Sequence, residues 1–462
     1  MYRLILIAML VLLVVGCGAS AQIKETKETK KTAERPNVVF ILTDDLDSRL
    51  LASHLSAYPN IRNLAANGVT FENAFVTNAL CCPSRSTILT GLYSHNHGVM
   101  TNTAPGGGAS AFRTLEPTAL PVWLHKEGYD TGYVGKYLNG YDGVYDPPGW
   151  DEWQGIDTGT GADREVGQRT DVFSKQADTF VKRRAGRSAA PFFLQVAPIA
   201  PHGPARPYPR HSGLFAGEKA PQPPSFDERD VSDKPRYVRK LKPLTRDKID
   251  TLNKLHRNRL RSMKAVDEMV GRLVATLRKT GELDNTYVVF TSDNGIHLGH
   301  HRLTEGKRLA YDEDIRVPLI VRGPGVPAGV TRGRMVLNND LAPTFAEWTG
   351  ATPLPVDEHV DGRSLVPVLR PTPPSGWRTA FLAEAAPHKR VGRPAYRAVR
   401  TEKFLYVSYK NGEKELYNLK RDPYELRNFY PGARDSLKQH LRSRLSSLAG
   451  CEGAGCRSAE GR

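Results

Sequence analysis

Near its N-terminus the chain reads NVVFILTDD over residues 37–45, an apolar, β-branched run that stops at two carboxylates. The run does not alternate between apolar and polar residues, which is typical of a parallel strand buried on both faces. Similar runs predict strands at residues 192–196, 287–290 and 318–321, and helical patterns separate them, the longest at 248–279. This alternation predicts an α/β fold with a large, mostly parallel sheet flanked by helices.

Changes in composition divide the chain into five predicted segments. Residues 1–21 hold one positive charge and then an apolar run that is too short to span a bilayer, which is typical of a signal peptide. Residues 22–35 are rich in Lys, Glu and Thr and form a predicted tether. A Pro-rich stretch separates a main domain at 36–370 from a smaller C-terminal subdomain at 371–450, and residues 451–462 are a tail.

The smaller subdomain contains three predicted elements. Residues 398–407 and 415–419 are strand candidates, and a terminal helix is expected near residues 435–448. A Pro-, Arg- and Lys-rich segment of the main domain, residues 203–244, is expected to form a long surface loop near the functional site.

The N-terminal segment contains two export signals. Residues 14–17 read VVGC and look like a bacterial lipobox with Cys17 as the lipidated residue, whereas residues 19–21 read ASA and fit cleavage of a soluble secreted protein. We therefore expect an exported protein at a bacterial cell surface or in the periplasm, anchored to the membrane through Cys17 or otherwise secreted. Cys451 and Cys456 are candidates to close a small loop in the tail.

The composition excludes some classes of protein and indicates the charge of the expected partner. A chain with 39% hydrophobic and 25% charged residues is not a disordered, fibrous or polytopic membrane protein. Lys and Arg number 65 against 49 Asp and Glu, a formal net charge of +16. Such a surface favours nucleic acid, acidic lipid or a sulfated or otherwise polyanionic substrate. No nucleic-acid-binding motif occurs, so we do not expect nucleic acid as a partner.

Oxygen-bearing side chains follow two of the predicted strands. Asp44 and Asp45 end the first strand, and Asp293 and Asn294 follow the strand at 287–290. Ligands bind beyond the carboxyl ends of the strands in open α/β sheets. Three carboxylates at one point require a cation, and oxygen ligands suit Ca²⁺ or Mg²⁺ rather than zinc. The alternative is that Asp44 and Asp45 cap a helix and that Asn294 begins a turn.

A third motif, LCCPSRSTILTG at residues 80–91, predicts the start of a helix at Pro83 and Ser84 with Cys81 just before it. A side chain there lies at the positive end of the helix dipole, which favours an anionic nucleophile or oxyanion. The alternative is that Cys81 is a small buried apolar residue.

Residues 81–85, CCPSR, match the C-x-P-S-R signature of the type I sulfatases. Within that family the chain looks most like the N-acetylglucosamine-6-sulfatases and related glycosaminoglycan 6-sulfatases. The resembling segments are YSHNH at 93–97, GKYLN at 135–139, TSDNG at 291–295 and ELYNL at 415–419. The resemblance runs from about residue 36 to 428. It implies an alkaline-phosphatase-like sandwich whose catalytic domain is residues 36–370, with a short antiparallel sheet in the C-terminal subdomain.

The resemblance also implies a role for each matching residue. A separate maturation enzyme would oxidise Cys81 to formylglycine (3-oxoalanine), whose hydrate is the nucleophile and lies on the metal. One hydroxyl of that hydrate would take the sulfate and the other would release it by collapse to the aldehyde. The matching Ca²⁺ ligands, with Mg²⁺ as the alternative ion, are Asp44, Asp45, Asp293 and Asn294 together with residue 81.

The remaining implied roles belong to basic residues. Arg85 would hold the oxyanion and the helix start. Lys136 and Lys307 would contact the sulfate oxygens, and His202 would protonate the leaving sugar oxygen or contact the sulfate. Many sulfatases have a histidine two residues after the first of these lysines, where this chain has Leu138.

Several other residues with reactive side chains occur near these motifs. Because Leu138 replaces the expected histidine, His95 and His97 are candidates to assist breakdown of the sulfated intermediate and to bind substrate. A histidine group, His297, His300 and His301, is left outside the catalytic set. Asp267 on the long helix is expected to be structural.

The sequence therefore predicts an exported sulfatase that cleaves sulfate monoesters. The expected substrate is the 6-sulfate of N-acetylglucosamine or glucosamine in glycosaminoglycan-type glycans. One alternative is a phosphonate monoester or phosphodiester hydrolase on the same scaffold. Another is a non-catalytic, glycan-binding surface lipoprotein in which Cys81 is never matured.

Overall fold

The computed structural model describes residues 35–157, 169–185, 190–353 and 360–461. The chain from Arg35 onward forms one compact unit. The predicted signal segment, Cys17 and nearly all of the tether lie outside the described residues. The boundary at residue 370 stays a prediction.

The described strands are β1 (Asn37–Thr43), β2 (Val69–Phe75), β3 (Asp130–Lys136), β4 (Glu152–Ile156), β5 (Phe192–Ala197), β6 (Thr286–Ser292), β7 (His297–Leu298), β8 (Glu305–Gly306), β9 (Arg316–Arg322), β10 (Val330–Arg332), β11 (Val336–Leu337), β12 (Ala380–Ala385), β13 (Tyr396–Thr401), β14 (Phe404–Tyr409) and β15 (Lys414–Asn418).

The described α-helices are α1 (Ser48–His54), α2 (Pro59–Ala66), α3 (Cys81–Thr90), α4 (Ser94–His97), α5 (Gly108–Phe112), α6 (Leu120–Lys126), α7 (Thr170–Ala185), α8 (Arg236–Arg239), α9 (Arg246–Lys279), α10 (Asp312–Ile315), α11 (Leu341–Thr349), α12 (Val366–Leu369), α13 (Asp435–Ala449) and α14 (Ala454–Gly461). Within these ranges no helix is both long enough and apolar enough to cross a membrane.

The large sheet has the strand order β10-β2-β9-β6-β1-β5-β3-β4, with β11 also paired to β2. β1 lies at its centre between β5 and β6 and is parallel to both, which confirms the prediction of a mostly parallel sheet. The run at 318–321 is a strand, β9, but it is antiparallel to both of its neighbours, β2 and β6. Burial on both faces does not depend on strand direction, so the antiparallel β9 has the same non-alternating apolar sequence as a parallel strand.

Side chains of β1 alternate between two layers of core. Phe40 and Leu42 pack on the face that carries α3, α6, α11 and the smaller sheet. Val39 and Ile41 pack on the opposite face, against α7 and α9. Both faces of the strand are therefore desolvated, which explains why its sequence lacks alternation.

The smaller sheet has the order β12-β13-β14-β15 and is antiparallel throughout. The single strand expected at 398–407 is in fact two strands, β13 and β14, joined by a turn at Glu402 and Lys403. The turn contains neither Gly nor Pro, so nothing in the local sequence marks a break between the two strands. The expected terminal helix is α13.

The segment predicted as a tail is folded onto the rest of the unit. It contains the Cys451–Cys456 disulfide and α14. Glu460 of α14 is buried and accepts a hydrogen bond from the guanidinium of Arg378 at 2.9 Å. This contact fixes the C-terminal helix against the antiparallel sheet.

Candidate active site

The carboxyl ends of β1 and β6 lie side by side because Thr43 is in register with Ser292. The backbone N–H of Asp293 donates to the carbonyl of Thr43 at 3.0 Å, and the N–H of Asp45 donates to Oδ1 of Asp293 at 3.2 Å. Asn294 donates through Nδ2 to Oδ1 of Asp45 at 2.6 Å. The parallel register thus brings the two predicted oxygen clusters into one buried group.

The helix that follows β1 is capped by a different residue. Asp47 is the N-cap of α1, and its carboxylate accepts the N–H of Leu50 at 2.8 Å. Asp45 has a left-handed φ of 63°, a conformation that aspartate tolerates better than most residues. The alternative in which Asp44 and Asp45 serve as helix caps does not hold, so both carboxylates are available to the cluster.

Cys81 is the first residue of α3, so the helix begins two residues earlier than Pro83. Its buried Sγ lies 3.6 Å from Oδ1 of Asp44 and 2.9 Å from Nζ of Lys307. Burial raises the pKa of the thiol, despite the nearby lysines Lys136 and Lys307.

Arg85 follows Cys81 by one helical turn and is equally buried. Its Nε donates to Oδ2 of Asp293 at 2.8 Å, and its Nη1 donates to the carbonyl of Lys136 at 2.7 Å. Burial opposes the charged guanidinium, but Asp293 and Asp44 keep its pKa above the ordinary value. Arg85 thus holds the start of α3 against the ends of β3 and β6.

Two lysines reach the cluster from different elements. Lys136 is the last residue of β3 and forms an ion pair with Asp44, while Lys307 follows β8 and forms one with Asp45. Burial alone would raise the pKa of each carboxyl, but the two ammonium groups hold both pKa values below the ordinary one. Gly135 allows β3 to pass close to β5, since a Cβ there would lie 2.2 Å from the carbonyl oxygen of Ala197.

His202 comes from the loop after β5 and lies at the edge of the cluster. Its Nε2 is 3.6 Å from Oδ2 of Asp45, and its side chain is 37% exposed. Its Nδ1 lies 2.6 Å from the carbonyl of Gly203, and because a carbonyl only accepts, Nδ1 carries the proton. The accessible Nε2 is then free to exchange a proton with a bound molecule.

The oxygen cluster fits a hard cation. Asn294 presents a buried Oδ1 that has no hydrogen-bond partner among the described residues. Ligand atoms of Asp44, Asp45, Cys81 and His202 lie within 4.8 Å of one another. Carboxylate and amide oxygens are the ligands that Ca²⁺ and Mg²⁺ prefer, and an ion would satisfy the orphaned amide oxygen.

The structure does not bring His95 and His97 into this cluster. His95 contacts Glu384 through Nδ1 at 2.8 Å and the carbonyl of Cys451 through Nε2 at 3.1 Å. His97 lies 2.9 Å from the hydroxyl of Thr87 through Nε2, and its Nδ1 accepts the N–H of Val99. Both rings thus hold neighbouring segments together, so we carry their suggested catalytic and substrate-binding roles no further.

The residues left outside the catalytic set also have structural partners. His297 contacts Asp314 at 2.8 Å, and His301 contacts Glu228 at 2.6 Å. Asp267 accepts the backbone N–H groups of Asn60 and Ile61, both at 2.9 Å, and so holds the first turn of α2.

Arg308 is a basic residue of this region that the sequence reasoning missed. It directly follows Lys307, has a left-handed φ of 83°, and is half-buried. Burial lowers the pKa of its guanidinium. Burial and Arg308 also lower the pKa of His388 to about 4. The consecutive basic residues at 307–308 were the available signal for Arg308, whereas nothing local pointed to His388.

Comparison with known proteins identifies the family of the chain. A family model described as Sulfatase matches residues 36–351, and one described as N-sulphoglucosamine sulphohydrolase, C-terminal, matches residues 299–450. The chain is 34% identical over 481 residues to an N-acetylglucosamine-6-sulfatase of Homo sapiens, with 92% of this chain and 86% of that protein covered.

Two further matches differ in how much of the other protein they cover. An extracellular sulfatase SULF-1 homolog of Drosophila melanogaster is 36% identical over 373 residues, which cover 76% of this chain and 33% of that protein. This chain therefore matches about a third of that relative's length. A solved structure of a protein in complex with its substrate D-glucosamine-2-N,6-O-disulfate superposes with a TM-score of 0.77 at 27% identity, covering 93% of this chain and 99% of that chain. The first family model covers most of the chain, and the chain belongs to the sulfatase family.

Proposed function

We propose that the protein is an exported sulfuric ester hydrolase that removes the 6-sulfate of N-acetylglucosamine or glucosamine residues in glycosaminoglycan-type glycans. The observation that carries this proposal is the position of Cys81. It begins a helix at a buried site between the carboxylate of Asp44 and the ammonium of Lys307. The ammonium groups of Lys136 and Lys307 would offset the charge of a small anion that reacts at residue 81.

We assign the metal site to four oxygen-bearing residues and residue 81. The proposed ligands are Asp44, Asp45, Asp293, Asn294 and the modified side chain at 81. Ca²⁺, with Mg²⁺ as the alternative, would lower the pKa of a hydroxyl bound to it and offset charge on the sulfate. Asn294 supports this assignment because its buried Oδ1 lacks a partner within the described residues.

Cys81 is proposed to be converted to formylglycine by a separate maturation enzyme. The hydrate of that aldehyde supplies two hydroxyls on one carbon, where serine would supply one. The match of residues 81–85 to the C-x-P-S-R signature supports this proposal. Arg85 keeps residue 81 in place through its contacts with Asp293 and the carbonyl of Lys136.

Lys136 and Lys307 are proposed to contact the sulfate oxygens. Both ammonium groups are buried or nearly so, and buried charges act in a lower dielectric than charges in water. His202 is proposed to protonate the leaving sugar oxygen. Its Nε2 is accessible at the edge of the cluster, while Nδ1 is held by the Gly203 carbonyl.

The choice of a 6-sulfated glucosamine is supported by the comparisons and by charge. The human relative is named for N-acetylglucosamine 6-sulfate, and the superposed structure holds a 6-O-sulfated glucosamine. A sulfate on a primary hydroxyl projects from the sugar ring, so it can enter a buried site while the ring stays near the edge. The net charge of +16 favours a polyanionic glycan around the cleaved residue.

Export and anchoring belong to the same proposal. The apolar N-terminal run supports secretion to a bacterial surface or periplasm, and Cys17 supports a lipid anchor in the membrane. Hydrolysis of phosphonate monoesters or phosphodiesters is the alternative activity. A non-catalytic glycan-binding lipoprotein is the alternative in which Cys81 remains a thiol.

Two measurements on the purified protein test the proposal. The mass of the peptide that contains residue 81 should show an aldehyde in place of the thiol after expression with a maturation enzyme. The protein should release sulfate from 6-sulfated N-acetylglucosamine faster than from 2-O-sulfated uronates, and faster than it releases phosphate or phosphonate from matched esters. An aldehyde-bearing protein that cleaves only phosphonate or phosphate esters would overturn the proposed reaction. Activity on aryl sulfates alone would overturn the proposed substrate.

A further inference from the structure

A second group of metal-binding side chains lies outside the active site. It consists of His54 at the end of α1, His256 in α9, and Glu218 in the loop between them. One ligand atom from each residue lies within 4.8 Å of the other two. We propose that these three residues bind a transition-metal ion, with Zn²⁺ as the best match, at a site separate from the oxygen cluster of the active site.

The strongest support for a bound ion comes from the ring of His256. Its ring is 1% exposed, and neither Nδ1 nor Nε2 has a hydrogen-bond partner within the described residues. A buried imidazole with two unsatisfied nitrogens is costly unless something binds it. Its ring also lies edge-on to the ring of His54, with centroids 5.8 Å apart, so the two imidazoles are close neighbours.

His54 is oriented in the way that metal-binding histidines usually are. Its Nδ1 lies 3.2 Å from the carbonyl of Leu50 and 2.9 Å from the hydroxyl of Ser53. That hydroxyl donates to the carbonyl of Arg49, so Nδ1 is the group that donates. Nε2 is left as the acceptor, 3.9 Å from Oε2 of Glu218. A histidine that binds a metal through one ring nitrogen usually donates a hydrogen bond from the other to a carbonyl or carboxylate oxygen.

The third proposed ligand, Glu218, supplies a negative charge on a side chain that can change its position. The Glu218 side chain is 47% exposed, and its backbone carbonyl accepts a hydrogen bond from Arg257 at 3.0 Å. The backbone is thus held to α9 while the carboxylate can move. Two imidazoles and one carboxylate form a three-ligand zinc set that leaves a fourth tetrahedral position for water.

The surroundings of the group would shield a bound ion on one side and leave it open to solvent on another. The ring of Phe215 packs edge-on against His54 with centroids 6.2 Å apart, on the loop that carries Glu218. The Glu218 side chain is 47% exposed, so an ion can reach the group from solvent. An ion here would join α1, this loop and α9 and so resist their separation.

Zinc binding by the full-length, Ca²⁺-loaded protein without a histidine tag tests the site. Equilibrium dialysis against ZnCl₂ in excess Ca²⁺, followed by elemental analysis, should show one tightly bound zinc per chain. His54→Gln and Glu218→Gln should each weaken zinc binding at least tenfold. Both residues are partly exposed, so these variants should fold, and circular dichroism checks this. Zinc should raise the melting temperature of the wild type but not of these two variants.

Two controls make the result specific. Glu268→Gln removes a carboxylate of similar exposure that contacts the single histidine His211, and it should bind zinc as the wild type does. Asn294→Ala removes a proposed ligand of the active-site cation and should also keep its zinc, which separates this site from the proposed function. The inference is overturned if zinc binding is absent, if it is equal in Glu218→Gln and the wild type, or if a folded Asn294→Ala loses its zinc. Co²⁺ in place of zinc should give the visible absorption of tetrahedral coordination.

Discussion

The guanidinium of Arg85 donates from Nε to Oδ2 of Asp293 at 2.8 Å, and both side chains are buried. The two residues are 208 positions apart in the chain. Their contact joins the first turn of the helix that begins at Cys81 to the end of the strand that precedes Asp293. The proposed nucleophile and the proposed metal ligands are therefore held together by one ion pair.

Removing Arg85 should damage both stability and activity. Arg85→Ala leaves the carboxylate of Asp293 buried without its partner, and breaking a buried pair costs about 3–5 kcal/mol. Urea unfolding should show this loss, and sulfatase activity should be absent. Arg85→Lys keeps the charge but cannot reproduce the two directed contacts, so it should fold better than Arg85→Ala and remain nearly inactive. Equal urea midpoints for Arg85→Ala and the wild type would contradict the role of the pair.

The adjacent cysteines should differ in their effect on turnover. Cys81→Ala removes the proposed nucleophile and should abolish activity with little loss of fold. Cys82→Ala should retain measurable activity, because the buried Cys82 thiol is bonded to Asn139, accepting its N–H at 3.1 Å and donating to its Oδ1 at 3.3 Å. Cys81→Ser offers one hydroxyl and should not turn over repeatedly. Equal losses in the two alanine variants, or multiple turnover by Cys81→Ser, would show that the nucleophile is misassigned.

Metal removal should inactivate the protein reversibly. Because the proposed ligands are oxygens, activity lost on chelation should return with Ca²⁺, less well with Mg²⁺, and not with Zn²⁺. Asn294→Ala should lower the affinity for Ca²⁺ measured by calorimetry, since it removes the buried Oδ1 that lacks a partner in the described part of the chain. Full activity of the chelated protein with zinc alone would refute an oxygen-ligated hard-ion site.

The effect of His202→Ala should depend on the leaving group. A sugar alkoxide needs a proton as the ester bond breaks, so kcat/KM for 6-sulfated N-acetylglucosamine should fall by about 10²–10⁴-fold. An aryl oxide leaves readily without a proton, and kcat/KM for an aryl sulfate should fall much less. The same proportional loss for both substrates would mean that His202 binds the sulfate and does not act as the general acid.

One buried carboxyl should make stability fall with rising pH. Burial raises the pKa of Glu228 from 4.5 to about 7, and the nearby Lys234 only partly offsets this. The folded state binds this proton more tightly than the unfolded state does. The contribution of Glu228 to the unfolding free energy is therefore full below about pH 4.5 and is lost as pH rises through about 7.

Glu228→Gln tests that dependence. The decline in urea midpoint between pH 5 and pH 8 should be smaller in this variant than in the wild type. Glu347→Gln, at an exposed position of α11, serves as the control and should follow the wild-type curve. An unchanged decline in Glu228→Gln would show that another group is responsible.

Local sequence was sufficient for much of the fold. Residues 37–42 and 287–290 were recognisable as buried parallel strands because both of their faces are desolvated, and a long apolar stripe marked α9. The carboxylates that end those strands could be placed together, since parallel strands bring their carboxyl ends to one edge. A helix start near Cys81 could also be predicted, because the start of a helix depends on residues that are neighbours in the chain.

Other features depended on contacts between residues far apart in the chain. The direction of β9 is set by its neighbours β2 and β6, and apolar burial looks the same for either direction. The partners of His95 are Glu384 and the carbonyl of Cys451, 289 and 356 positions away, so its ring is committed to structure despite its place beside the motif. The ion pair between Lys307 and Asp45 and the burial of Glu460 against Arg378 also depend on residues that are distant in the chain. Local sequence determines which segments are buried and which begin a helix, because these depend on neighbours in the chain. Which charged groups meet depends on how the segments pack, because only packing excludes the water that would otherwise separate them.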